Sequence, residues 1–202
     1  MIKIENFIAQ FTRLFAAQNN MQPWQITSNL TTILPNIIQL LGSDFNVAEA
    51  IAIHKTATIE AGAVIKAPAF IGARCFVASN AYLRGGVYLA DSVKVGTGVE
   101  IKASMIFSHS AIAHFNFIGD SIIGSNVNFE AGAIVANHFN ERINKIISVF
   151  YDGQTINTGI TKFGALVGDH CKIGANAVLS PGTVLSPGTT VKRLGLIDQP
   201  EP

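Results

Sequence analysis

The sequence predicts an all-β chain wound as a parallel β-helix of six-residue repeats. Three observations carry this. An aliphatic residue recurs at every sixth position, a smaller or apolar residue follows each at a fixed offset, and the pattern lapses once before resuming. Steps of six from Ile53 meet Ile59, Ile65, Ile71, Val77, Leu83, Leu89, Val95 and Ile101. Four residues after each lie Ala57, Ala63, Ala69, Cys75, Ala81, Val87, Val93, Val99 and Met105. In a chain that is 49% hydrophobic, two unbroken columns of this length arise by chance on the order of a few times per million registers.

Each unit is expected to form one side of a triangular prism, three units to a coil, with its first residue pointing inward. The fifth residue fills a corner, where stacking on the next coil leaves room for little more than Ala or Cys. Neighbouring coils pair as parallel strands, which satisfies the backbone and suits branched side chains. After Ile101 the register passes two five-residue units on its way through Ile106, Ile112, Ile118, Ile123, Phe129 and Val135, and shortened units deform a corner. It stops over 138–163, where NERINK and YDGQTINTG lie, and resumes at Val167, Ile173, Leu179, Leu185 and Val191. The gap reads as an extruded loop, either functional or a neutral insertion. About six coils are expected, with SPGTVLSPGTT supplying Pro-Gly at corner turns.

The expected layout is therefore an N-terminal helical cap at 1–45, the β-helix at 46–195 with its loop at 138–163, and a tail at 196–202. ENFIAQFTRLFAAQ and PWQITSNLTTILPNIIQLL carry apolar residues at helical spacing. They read as two short helices that cover the first coil, with Phe15 and Trp24 packing there.

Lys and Arg number 14 against 13 Asp and Glu, so no field draws the chain to nucleic acid or an anionic membrane. Cys75 and Cys171 lack any CxxC pairing and read as reduced, buried thiols. Lys3, Glu5 and Arg13 break the apolar start, leaving neither a signal-type core nor a membrane span, and the expected location is the cytoplasm.

With aliphatic residues filling the inward positions, reactive groups belong on outward positions, in corners, or at seams between prisms. Of five histidines, His109 and His114 lie close together where the register is perturbed. Their spacing is similar to that in β-helical metalloenzymes of the gamma carbonic anhydrase class. Such a site needs a third imidazole, and the corresponding place near Ala73 has none, so no metal ligand is assigned.

The stretch AHFNFIGDSIIGSNVNFEAGAIVAN, Ala113 to Asn137, carries a stronger signal. It resembles the acetyltransferase domain of the bifunctional pyrophosphorylase and glucosamine-1-phosphate N-acetyltransferase enzymes, above all their archaeal form. Those carry His-x-x-Tyr-x-Gly-Asp, then Asn-Val-Asn-x-Gly-Ala-Gly and a further Asn. PWQITSN, the loop with its Lys and Asp-Gly, and GALVGDHCKIGANAVLSPG extend the resemblance over most of the chain from Pro23 onward. It implies a left-handed coil, against the usual right-handed crossover. The family's nucleotidyltransferase domain has no counterpart here, so no nucleotidyl transfer is expected.

The resemblance implies an acyl-CoA-dependent N-acyltransferase acting on an amino-sugar phosphate such as glucosamine 1-phosphate, with acetyl-CoA as co-substrate. His114 matches the general base, since imidazole can take a proton from an attacking amine near neutral pH. The backbone N–H of Ala131 would face the oxyanion. Asn128 and Asn137 would hold sugar hydroxyl or acyl groups beside Phe117, and Arg142 and Lys145 would grip the sugar phosphate. Acetyl-CoA would lie by the later coils near Ala175 and Ser186. A homotrimer with sites between subunits follows from the same resemblance. Two positions depart from the family: Phe117 replaces its tyrosine, losing a hydroxyl, and Glu130 replaces the first glycine of Gly-Ala-Gly, adding a carboxylate. Three classes stay open: the acyltransferase, a zinc enzyme, and a sugar-phosphate or nucleotide-sugar binding module without turnover.

Overall fold

The structure is a computed structural model that describes residues 1–199; residues 200–202 of the expected tail lie outside the described residues. The six-residue period becomes three flat faces of a left-handed parallel β-helix. The first face stacks seven parallel strands in chain order, from Thr58–Ile59 through Ala111–Ile112 and Asn128–Phe129 to Thr190–Val191. The second runs from Val64–Ile65 through Phe117–Gly119 and Ile134–Val135 to Leu196–Ile197. The third runs from Ile51–His54 through Ala69–Ile71 and Ile122–Ile123 to Thr183–Leu185. Two long strands, Tyr82–Leu89 and Glu100–Ile106, round the corner from the second face to the third and join both into one 13-stranded sheet. Seven rungs stand where about six coils were expected. Leu196–Ile197 pairs with Val178–Leu179, so strand pairing runs past the boundary drawn at 195.

The inward column is dry: Ile71, Val77, Leu83, Leu89, Val95, Ile101, Ile118, Phe129 and Val135 are all fully buried. Each such aliphatic side chain contributes about 1.5–3 kcal/mol by leaving water. Corners turn through left-handed backbone at fixed places. Between the first and second faces these are Gly62, Asn80, Gly98, Phe115, Gly132, Asn176 and Leu194; between the third and first they include Arg74, Ser92, His109, Asn126 and His170. Gly and Asn tolerate that region and other residues are strained by it. The two five-residue units fall on one corner in consecutive coils, between the second and third faces, with Ala103 and Asp120 left-handed there.

The N-terminal segment does not cap the end of the solenoid. Its helices, α1 (Phe11–Leu14), α2 (Pro23–Ser28) and α3 (Leu30–Ile38), with 3-10 turns at Ile4–Asn6 and Ala16–Gln18, lie along the third face. The reason is a second apolar column, the residue before each inward one on that face: Ala52, Phe70, Tyr88, Met105, Ile122 and Leu166, all buried. Phe15 packs edge-on against Tyr88 at 5.0 Å and Trp24 against Phe163 at 5.8 Å. The segment reaches late coils, since the Asp169 N–H donates to the Phe7 carbonyl at 2.8 Å and the Ala9 N–H to Asp169 Oδ2 at 2.9 Å. The first coil is bordered instead by the strand Phe45–Ala48, antiparallel to Ile51–His54.

The 138–163 loop is structured. Ser148–Tyr151 and Gln154–Asn157 form an antiparallel hairpin, turned at Asp152 and Gly153, both left-handed, as a type I′ turn requires. Phe139, Ile147, Val149 and Phe163 are buried in the same lateral core as the N-terminal helices.

Candidate functional site

His114 occupies the corner between the first and second faces, in the turn after Ala111–Ile112, and is exposed. The same corner one coil on holds Ala131 and, one further, Ala175. Backbone bonds align them, the Gly132 N–H donating to the His114 carbonyl at 2.9 Å and the Asn176 N–H to the Ala131 carbonyl at 3.0 Å. Asn116 fixes the turn from inside, buried, with Nδ2 donating to the His114 carbonyl at 3.3 Å. Phe115 and Leu194 project from this corner, 69% and 78% exposed. Between them, over three coil spacings of ~4.8 Å each, the smaller Ala131, Gly132, Ala175 and Asn176 leave a notch.

Around the corner, on the first face, Asn128, Glu130, Lys172, Thr190, Lys192 and Arg193 line a groove of about 610 Å³. Glu130 is bound hard. Arg193 donates Nη2 and Nε to its two oxygens at 2.6 and 2.7 Å, and the Ala175 N–H donates to it at 2.9 Å. The Arg193 hydrogen bonds first, then the Ala175 amide, hold the Glu130 carboxyl below the usual range. The family departure at 130 thus clamps three successive coils together beside the notch.

The other predicted residues stand elsewhere. Phe117 lies outward on the second face, half-buried, three residues before Asp120 at the next corner. Asn137 sits at that corner, between the second and third faces, 7% exposed. Its Nδ2 donates to Asp120 Oδ2 at 2.5 Å, and the same oxygen pairs with Lys102 Nζ at 2.6 Å. The carboxylate is buried with two donors on Oδ2, and the Asp120 carbonyl accepts from Gly164, so this cluster ties both ends of the hairpin excursion to the coil beneath. Arg142 lies over the Phe139 ring at 3.4 Å from its centroid, and Lys145 is exposed with Nζ 3.5 Å from the Asn140 carbonyl. Ser186 is exposed at the third corner. Within one chain, His114, Ala131 and Ala175 share a corner, Asn137 and the hairpin side chains share another, and the second face separates them.

Sequence reasoning did not single out the Lys102–Asp120 pair or Phe115. A signal for the first existed: opposite charges one place apart in the two shortened units, Lys102 second in its unit and Asp120 third in the next. His109 and His114 sit at opposite ends of the strand Ala111–Ile112, on different corners, and among the described residues no three His, Cys, Asp or Glu side chains could hold a metal. Burial pushes the Cys75 thiol up to about 11 and raises Cys171 also, which keeps both as thiols rather than nucleophiles.

A model for the hexapeptide repeat of succinyl-transferase matches residues 68–103 and 157–190. The chain is 41% identical over 85 residues to a bifunctional sugar-1-phosphate nucleotidylyltransferase/acetyltransferase from Sulfurisphaera tokodaii, covering 42% of this chain and 20% of that protein. It is 36% identical over 101 residues to the bifunctional protein GlmU of Methanococcus maripaludis, covering 50% and 24%. The matches thus span about a fifth to a quarter of these relatives' lengths. Among solved structures, a hexapeptide transferase family protein from Anaplasma phagocytophilum superposes with a TM-score of 0.50 at 18% identity, over 69% of this chain and 72% of that one. The chain is a short hexapeptide-repeat domain wound as a left-handed β-helix, similar in sequence to part of the bifunctional nucleotidylyltransferase/acetyltransferase proteins.

Proposed function

We propose that the protein transfers an acyl group, acetyl in the simplest case, from acyl-CoA to the amine of an amino-sugar phosphate at the corner bearing His114. The observation that carries this is the alignment of an exposed imidazole with a run of small residues on one edge of the prism. The amine nitrogen attacks the thioester carbon, the imidazole takes a proton from the nitrogen, the carbon–sulfur bond breaks, and the CoA thiolate leaves and is protonated. The Ala131 N–H lies one coil from His114, where an oxyanion donor is needed. Lys172 and Lys192 give the adjoining groove the positive charge that suits the phosphates of the acyl donor, between the corners of Ala175 and Ser186.

Asn137, Arg142 and Lys145 can join this chemistry only from a second copy, which fits a homotrimer with sites at the seams. The second face supports it: Val64, Tyr82 and Leu196 are 41%, 36% and 63% exposed, and Phe117, Ile134 and Val178 continue the same outward apolar column. No helix among the described residues is long and apolar enough to cross a membrane, and a cytoplasmic enzyme is the reading in keeping with this chemistry.

The test is thiol release from acetyl-CoA with a panel of amino-sugar phosphates. His114→Ala should abolish it and leave the melting temperature unchanged; full activity in that variant refutes the assignment. A second reading, a binding module without turnover, is favoured by Glu130, whose carboxylate already occupies Arg193 and the Ala175 amide. It predicts a ligand-induced rise in melting temperature with no thiol released.

A further inference from the structure

Seven residues form the left-handed column at the His114 corner, and five of them are Gly or Asn. Phe115, at φ +56°, is the exception beside His114. A bulky side chain in that region costs stability, and the cost is not offset by burial, because the ring is 69% exposed. The ring is nonetheless held in place. A Cβ on Gly98, one coil earlier, would lie 2.6 Å from its Cδ1 and 2.8 Å from its Cε1, so the absent side chain makes the bed on which the ring rests. Leu194 shares the conformation and the exposure; Phe115 differs in standing next to the imidazole with its ring seated on Gly98, where such strain bears on function.

The geometry points to Phe115 as the acceptor-stacking residue of the candidate site: its ring is the wall on which the apolar C–H face of the amino sugar packs while the amine reaches His114. This rests on the assignment of His114 as the base. An amine within ~3 Å of that imidazole brings its own ring against the next side chain of the same two-residue turn. An aromatic face suits a pyranose ring, whose axial hydrogens form a flat apolar patch, and a rigid ring adds contact at little entropic cost. Phe115 would thus set which acceptors bind, and His114 would act on them.

The experiment compares the wild type with Phe115→Asn, Phe115→Tyr and His114→Ala, using acetyl-CoA and glucosamine 1-phosphate. Asn already occupies this conformation at 80 and 176, so Phe115→Asn keeps the turn. It should raise the acceptor KM about tenfold, leave kcat and the acetyl-CoA KM within about twofold, and raise the melting temperature; Phe115→Tyr should restore the acceptor KM. An unchanged acceptor KM, with His114→Ala inactive, overturns the stacking role and leaves the base in place. A lower melting temperature in Phe115→Asn, or a change in its sedimenting mass, also overturns it, because the ring then serves packing or a subunit seam. A wild type that turns over no amino-sugar phosphate overturns it together with the transferase reading.

Discussion

The second and third faces of the prism come from one repeat and carry outward columns of similar apolar character, yet they meet different fates. On the third face Phe70, Tyr88, Met105, Ile122 and Leu166 are sealed by the chain's own first forty residues and by the hairpin. On the second, Val64, Tyr82, Ile134, Val178 and Leu196 have no cover from the same chain. The difference teaches that a solenoid's outside is as programmable as its inside. Large aliphatic and aromatic residues mark a face to be covered from within, and a sparser column broken by Glu100 marks one fitted for another molecule.

The contrast can be broken by the same substitution on each face. Ile122→Arg on the covered face should cost about 4 kcal/mol or more, because a charge would enter a dry core without a partner, and denaturant unfolding will read the loss. Ile134→Arg on the open face should leave folding intact and lower the sedimenting mass to that of one chain; an unchanged mass would show that this face is no seam. The smallest effect belongs to Glu130→Gln. The Glu130 carboxyl is depressed in the folded chain, so its ion pair with Arg193 stabilises above the ordinary glutamate range and is lost as pH falls through the folded value. The variant should therefore melt slightly below wild type at pH 7, and the difference should vanish as pH falls through the depressed range of the folded carboxyl.

Much of this was readable beforehand, and the rest has identifiable causes. The inward column was legible because its period is fixed by geometry and tolerates no polar residue, and the shortened units were visible as steps of five. The lateral docking of the helices was hidden because its signal has a period of about eighteen: a large apolar residue before every third inward aliphatic, as at Phe70, Tyr88 and Ile122. The hairpin was announced by Asp152-Gly153 between Ser148–Tyr151 and Gln154–Asn157, a turn pair that outweighs the polar composition around it. At the site, His114 stood out by its neighbours in sequence. The commitment of Asn137 to Asp120 and of Glu130 to Arg193 depends on stacking between coils far apart in the chain, which no local pattern reveals.

The bond between Ala9 and Asp169 spans 160 residues, and this sets an order of events during synthesis. At ~5–20 residues per second, the ribosome delivers the acceptor strand about 8–32 s after the segment that must dock on it. Phe11 and Phe15 can settle once Tyr88 and Phe107 are made, but Phe7 must wait for Tyr151 and Asp169. This segment is thus made before the coils that seat it and settles in steps, a natural client for a chaperone at the tunnel exit.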